Sequence, residues 1–189
     1  MVWLRETIPP KWVMLPGIIF LVILGCFLLF PPHLPNTAAV VAAQWLPKND
    51  RIDVPLTGRF LDVEGNSISF DQFSEDVLML NFWATWCTPC LIEMPSMASL
   101  HEEFGKKGLR VVTITDEDEA TVRQFVDHNP FPFTFLIDSE GTLKDRLRVF
   151  VLPLTIVLDR DRKLTYFHQG ARAWDTPDIR ERMSQLVKE

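Results

Sequence analysis

A mostly apolar run, Val77-Leu78-Met79-Leu80-Asn81-Phe82-Trp83-Ala84, leads directly into Thr85-Trp86-Cys87-Thr88-Pro89-Cys90. It reads as a strand that delivers two cysteines, two residues apart, to a strand-to-helix turn. That spacing puts both sulfurs within reach of one short disulfide. The start of a helix favours the thiolate over the thiol, through the helix dipole and the free backbone N–H groups. A pair so placed can trade disulfides with other thiols.

The rest of the chain is consistent with a packed α/β domain. Gly58–Asp62 and Ser67–Phe70 flank the turn Glu64-Gly65-Asn66 and read as a hairpin. After the cysteines, Leu91, Met94, Met97, Ala98, Leu100 and Phe104 recur mostly at three- and four-residue spacing, which predicts a helix to about Phe104 with a kink at Pro95. Strands are expected at 109–114, 133–137, 154–158 and 164–168, and helices from Glu117 to His128 and from the Thr176 cap with Pro177 in its first turn. The polar segment 138–148 has no clear period. Strands alternating with helices, then a terminal hairpin and helix, make a mixed α/β sandwich around a central sheet.

Ahead of this domain, Val13 to Phe30 is an 18-residue stretch without a charge. As a helix it extends about 27 Å, just enough for a bilayer core of roughly 30 Å. Arg5 and Lys11 precede it, which favours a cytoplasmic N-terminus. A retained anchor fits best. A signal peptide cleaved near Val41-Ala42-Ala43 is the second reading, and its apolar run is too long and ends too early; a lipoprotein signal at Ile23-Leu24-Gly25-Cys26 is the third, and Phe27–Phe30 continues the run past the cysteine. All three export the remainder. The expected organisation is a cytoplasmic N-terminus at 1–12, a transmembrane anchor at 13–30, a proline-broken linker at 31–55 and the folded domain at 56–189. Within the linker, Val40-Val41 and Trp45-Leu46 are apolar pairs able to dock.

Composition excludes several classes. With 19 basic and 25 acidic residues the net charge is −6, and no basic stripe offers itself to nucleic acid. Three cysteines are too few for a disulfide-stapled scaffold, and Cys26 lies in the apolar run, so Cys87 and Cys90 are the only thiols of the exported part. A zinc site is disfavoured because His33, His101, His128 and His168 are scattered. A permanent structural disulfide across a two-residue loop stabilises little. The acidic run Asp116–Glu119 reads as a solvated helix cap.

Trp83-Ala84-Thr85-Trp86-Cys87-Thr88-Pro89-Cys90, followed by Glu93-Met94-Pro95, resembles the thioredoxin superfamily and, more narrowly, its membrane-anchored, extracytoplasmic TlpA-like and ResA-like thiol–disulfide oxidoreductases. The likeness spans roughly 57–189. It implies a thioredoxin fold, a central mixed sheet flanked by helices, extended here by the hairpin and the transmembrane helix. Asn81 stands where general thioredoxins carry a buried aspartate, and Glu93 matches the acid these anchored proteins carry instead. Val151-Leu152-Pro153-Leu154-Thr155 occupies the place of the family's Gly-X-Pro-Thr-Thr run, keeping the proline and the second threonine.

The candidate catalytic residues are therefore Cys87 as attacking thiolate, Cys90 as resolving thiol and Glu93. At i+3 from Cys90, Glu93 shares its face of the helix; buried there, its pKa rises and it can take the proton from Cys90 during resolution. Candidate substrate-binding residues are Trp86, Thr88, Pro89, Leu152 and Pro153, with Pro153 the cis proline by resemblance. Trp83 reads as core. The uncharged Thr88-Pro89 pair holds no cation to favour the thiolate, which points to a reductant.

The redox-active Cys87–Cys90 disulfide is the only redox group expected, with no separate cofactor and no metal. Expected partners, by resemblance, are client proteins with disulfides or paired thiols, such as apocytochromes or copper-site proteins, and a membrane thiol relay as electron donor. The catalytic domain would sit on the periplasmic side of the cytoplasmic membrane. The rivals are a net oxidase or isomerase and a tethered binding module without turnover. A peroxidase is disfavoured, since no lone peroxidatic cysteine sits in a loop of its own.

Overall fold

The computed structural model describes residues 45–73 and 76–189. The expected cytoplasmic terminus, the transmembrane anchor at 13–30, Cys26 and the linker up to residue 44 lie outside the described residues. Among the described residues, no helix is long and apolar enough to cross a membrane.

The apolar run forms strand β4 (Val77–Phe82), numbered after the short strands β1 (Ile52–Asp53), β2 (Phe60–Leu61) and β3 (Ser67–Ile68). Helix α1 (Thr88–Phe104), strand β5 (Leu109–Thr115), helix α2 (Glu119–His128) and strand β6 (Thr134–Ile137) follow. The chain ends its described course with α3 (Thr142–Arg146), β7 (Leu154–Leu158), β8 (Lys163–Gln169) and α4 (Pro177–Leu186). The strands lie in the order β1-β8-β7-β4-β5-β6-β2-β3. β4 pairs in parallel with β5 and β5 with β6, whereas β7 runs antiparallel to β4. This is a thioredoxin-like α/β fold around a mixed sheet.

Every residue of β4 is buried, because both faces of the central strand are covered. Alternation assigns the faces. Val77 and Met79 meet Met97, Leu100 and Phe104 of α1 and Ile179, Met183 and Leu186 of α4. Leu78, Leu80 and Phe82 point the other way, into a core with Phe60, Phe70, Leu136, Leu143 and Val149. A third cluster, with Trp83, Met94, Val122, Phe135 and Ile137, surrounds the cysteines under α2. β4 thus ends beside the third cluster, and the loop after it carries Trp83, Ala84 and the cysteines into that cluster.

Several boundaries differ from those read in the sequence. Residues 45–55, placed in a linker by their prolines, are fastened to the sheet. Ile52–Asp53 pair with Leu164 and Lys163, Trp45 bridges to Tyr166 with its ring 4.5 Å away, and Arg51 Nη1 donates to Asp159 at 2.9 Å and to Glu189 at 2.8 Å. A two-residue edge strand needs no periodicity, so composition alone missed it. α2 starts at Glu119 rather than Glu117, since the Asp118 carboxylate caps it by accepting from Thr121 N–H. The unassigned segment after β6 forms α3, whose first N–H groups, at Thr142, Leu143 and Lys144, all donate to the buried Asp138 carboxylate. α1 runs through Pro95 to Phe104 as one helix. Thr176 occupies the cap position of α4 without a side-chain capping bond.

Candidate active site

Cys87 is the cap residue of α1, with Pro89 in the first turn where a missing N–H costs nothing. Its sulfur is bonded to Cys90, with an S–S distance of 1.99 Å. Cys90 is fully buried and Cys87 nearly so, whereas Trp86, Thr88 and Pro89 are exposed. The disulfide therefore lies just under a rim made by its neighbours. Trp86, Cys87, Thr88, Pro89, Lys144, Phe150, Val151 and Leu152 line an open groove of about 470 Å³. Three of those walls are exposed apolar side chains: Trp86 at 72%, Phe150 at 83% and Val151 at 51%. Phe150, Val151 and Lys144 were not singled out in the sequence as groove residues; only their place in the fold, opposite Trp86, reveals them.

The Leu152–Pro153 peptide is cis. Leu152 lines the groove, while Pro153 is buried behind it with its carbonyl accepting Gly170 N–H at 2.8 Å. Trp83 is buried in the core, its ring 4.7 Å from that of Phe125.

One turn beyond Cys90, Glu93 is buried, with 2% of its surface exposed. Strand alternation explains its company: Asn81 continues the Val77–Met79 face toward α1, and its register partners Thr113 and Thr155 flank it. Asn81 Nδ2 donates to Glu93 Oε1 at 2.7 Å and to Thr155 Oγ1 at 2.8 Å. The other carboxyl oxygen, Oε2, accepts the Trp174 indole N–H at 3.0 Å and the Arg172 backbone N–H at 3.2 Å. Burial pushes the Glu93 carboxyl above the ordinary glutamate range; these donors and the Arg172 guanidinium pull it back only in part. Arg172 and Trp174 sit in an irregular stretch after β8, so no periodicity marked them. The buried Asn81 Oδ1 is left without a partner.

In the acidic run Asp116–Glu119, Asp116 and Asp118 are exposed and Asp118 caps α2, as read from the sequence, whereas Glu117 is half-buried. Glu117 reaches back to Thr85, two residues before Cys87, and accepts both its N–H at 2.6 Å and its hydroxyl at 2.7 Å. Among the described residues, no group of three or more His, Cys, Asp or Glu is arranged to hold a metal ion.

A disulfide at the head of α1, reached from a groove beside a cis-proline loop in a sheet of this order, defines a thioredoxin-fold thiol–disulfide oxidoreductase. Residues 50–167 match the AhpC/TSA family, and the chain belongs to it, near the ResA-like oxidoreductases. It is 32% identical over 128 residues to the thiol-disulfide oxidoreductase ResA of Halalkalibacterium halodurans, covering 67% of this chain and 71% of that protein. It is 33% identical over 115 residues to ResA of Oceanobacillus iheyensis, covering 60% of each chain. Its fold is similar to that of a secreted thiol-disulfide isomerase from Corynebacterium glutamicum, with a TM-score of 0.65 at 23% identity, covering 78% of this chain and 92% of that one.

Proposed function

We propose that this chain is a membrane-tethered protein-disulfide reductase that acts on the outer side of the cytoplasmic membrane. The observation that carries the reading is the Cys87–Cys90 disulfide at the floor of an apolar-walled groove, with a buried carboxyl one turn below it. Tethering rests on the 18 uncharged residues from Val13 to Phe30 and the basic residues before them.

In the reduced form, the Cys87 thiolate attacks one sulfur of a client disulfide. The client S–S bond breaks, a mixed disulfide forms, and the first client sulfur leaves as a thiolate that takes up a proton. Glu93, ionised, then accepts the proton of Cys90, and the Cys90 thiolate attacks the Cys87 sulfur. The Cys87–Cys90 disulfide forms and the second client sulfur is released and protonated. The client gains two electrons and the pair loses two. A membrane dithiol relay would return those electrons by the same exchange.

Trp86, Phe150, Val151 and Leu152 give an apolar seat to the residues around the client cysteine, and the backbone beside the cis Leu152–Pro153 bond can pair with an extended peptide. Thr88 and Pro89 form the uncharged lip between the sulfurs. Clients with paired cysteines, such as apocytochromes awaiting haem or copper-site proteins, fit a seat of this kind.

The direction of electron flow is set by the potential of the pair. Equilibration against glutathione, followed by alkylation and mass analysis, should give a value near or below that of thioredoxin, about −270 mV. A value near about −120 mV, the range of DsbA, would overturn the reductase reading in favour of an oxidase.

A further inference from the structure

The chemistry above makes no use of Glu117, although this residue touches the loop that carries the nucleophile. Each carboxylate of its acidic run has a separate employment. Asp116 pairs with Lys144 Nζ at 2.7 Å, Asp118 caps α2, and Glu119 pairs with Arg123. Glu117 instead crosses from the end of β5 to the end of β4. The Thr115 hydroxyl donates to its Oε2 at 3.2 Å and accepts its backbone N–H at 3.3 Å, so both its main chain and its carboxylate are held against the sheet.

What it grips is a turn. Trp83 N–H makes the last sheet bond on this side, to Ile114 at 3.0 Å, and Cys87 N–H closes back on Ala84 at 3.1 Å. Thr85 and Trp86 are the central residues of that turn, and the Thr85 N–H points out of it toward Glu117. Glu117 accepts the N–H and the hydroxyl of Thr85 together, a two-point hold on the residue that sets the path into Trp86 and Cys87. Thiol–disulfide exchange is a displacement in line with the breaking S–S bond, so the rate depends on where the attacking sulfur is aimed.

We propose that Glu117 is a positioning residue for Cys87, which it aims at the client disulfide by clamping Thr85. The inference rests on the proposed exchange at Cys87. It concerns the hydrogen bonds of the carboxylate, not its charge. A glutamine keeps an acceptor for the Thr85 N–H and a donor toward the Thr85 hydroxyl, whereas an alanine keeps neither.

The test compares the full chain with its Glu117→Gln and Glu117→Ala variants. The probe is oxidised glutathione carrying a fluorescent reporter, with dithiothreitol as electron source. Glu117→Ala is expected to lower kcat about tenfold with KM within about twofold, since orientation rather than binding is lost. Glu117→Gln should restore kcat to within about twofold of the parent, and the pH midpoint for alkylation of Cys87 should be the same in all three.

An alanine variant that keeps the parental kcat overturns the inference, even if its melting temperature falls, because that is the mark of a merely structural contact. Equal losses in both variants with a shifted alkylation midpoint also overturn it, by assigning the effect to charge. If Glu117→Ala fails to fold, Thr85→Val removes only the hydroxyl contact and should cost about threefold in kcat; no loss there refutes the clamp. A parent chain that reduces no probe contradicts the exchange reading itself, whereas an active parent with indifferent variants contradicts only the role of Glu117.

Discussion

Replacing Cys90 with serine is expected to turn the chain from a catalyst into a trap. Cys87 reaches the groove, and Cys90 lies fully buried behind it at the same helix start. In the parent, the mixed disulfide at Cys87 is resolved within the molecule, and such an oriented attack has an effective concentration on the order of 10⁵ M or more. Without the second sulfur, only external thiols can release the client, so turnover should fall by at least about a thousandfold. A covalent adduct at Cys87 should then survive on non-reducing gels and vanish on reduction. Cys87→Ser should give no adduct.

The serine hydroxyl would sit among Trp83, Met94 and Phe135, so Cys90→Ala is the companion variant that avoids burying a polar group. Identifying the trapped proteins by mass spectrometry would name the clients. If neither variant yields an adduct and client binding persists, the groove belongs to a binding module without turnover.

Glu93→Gln should change stability and resolution in opposite senses. The native state raises the Glu93 pKa, mainly by burial, and so favours its protonated form. The stability this contributes is present below the ordinary glutamate pKa and is lost as the pH rises through the raised native value. At neutral and alkaline pH the ionised carboxylate is therefore a burden that a neutral amide removes.

The surroundings accept that amide. Trp174 and Arg172 still donate to its oxygen, and the Asn81 side chain can turn its unpaired Oδ1 toward the new NH₂ group. The melting temperature of the variant should exceed the parent's by a few degrees at pH 8 and converge on it at acid pH. Resolution, in contrast, loses its base: release of a client from the Cys87 mixed disulfide should slow about a hundredfold, with a flattened pH dependence. A variant that is less stable than the parent at pH 8, or that resolves at the parental rate, contradicts the role given to Glu93.

The part of this site that lies within one stretch of sequence could be read before the fold was known. The apolar strand, the cysteine pair, the helix start and the i+3 glutamate occupy residues 77–93, where strand alternation and helical spacing fix the geometry locally. The partners of that stretch come from far along the chain. Thr155 and Trp174 reach Asn81 and Glu93 across separations of 74 and 81 residues, and Arg51 meets Asp159 across 108. No period or motif announces such meetings, because they depend on which loops the sheet brings together.

Glu117 shows the same limit from another side. Four consecutive acids look interchangeable as composition, yet the point where β5 ends sends one of them to Thr85 and its neighbours to a lysine, a helix cap and an arginine. The apolar walls at Phe150 and Val151 follow no helical or strand period either, since they lie in the irregular stretch ahead of β7.

The most direct test is a count of disulfides. The reduced chain is mixed with an oxidised probe peptide, quenched in acid and labelled with two alkylating agents of different mass, one before and one after reduction. One Cys87–Cys90 disulfide should form for each probe disulfide lost, with both cysteines changing label together. A probe that stays oxidised beside a fully reduced pair, or one that is reduced while Cys87 and Cys90 keep their label, would contradict exchange at this pair.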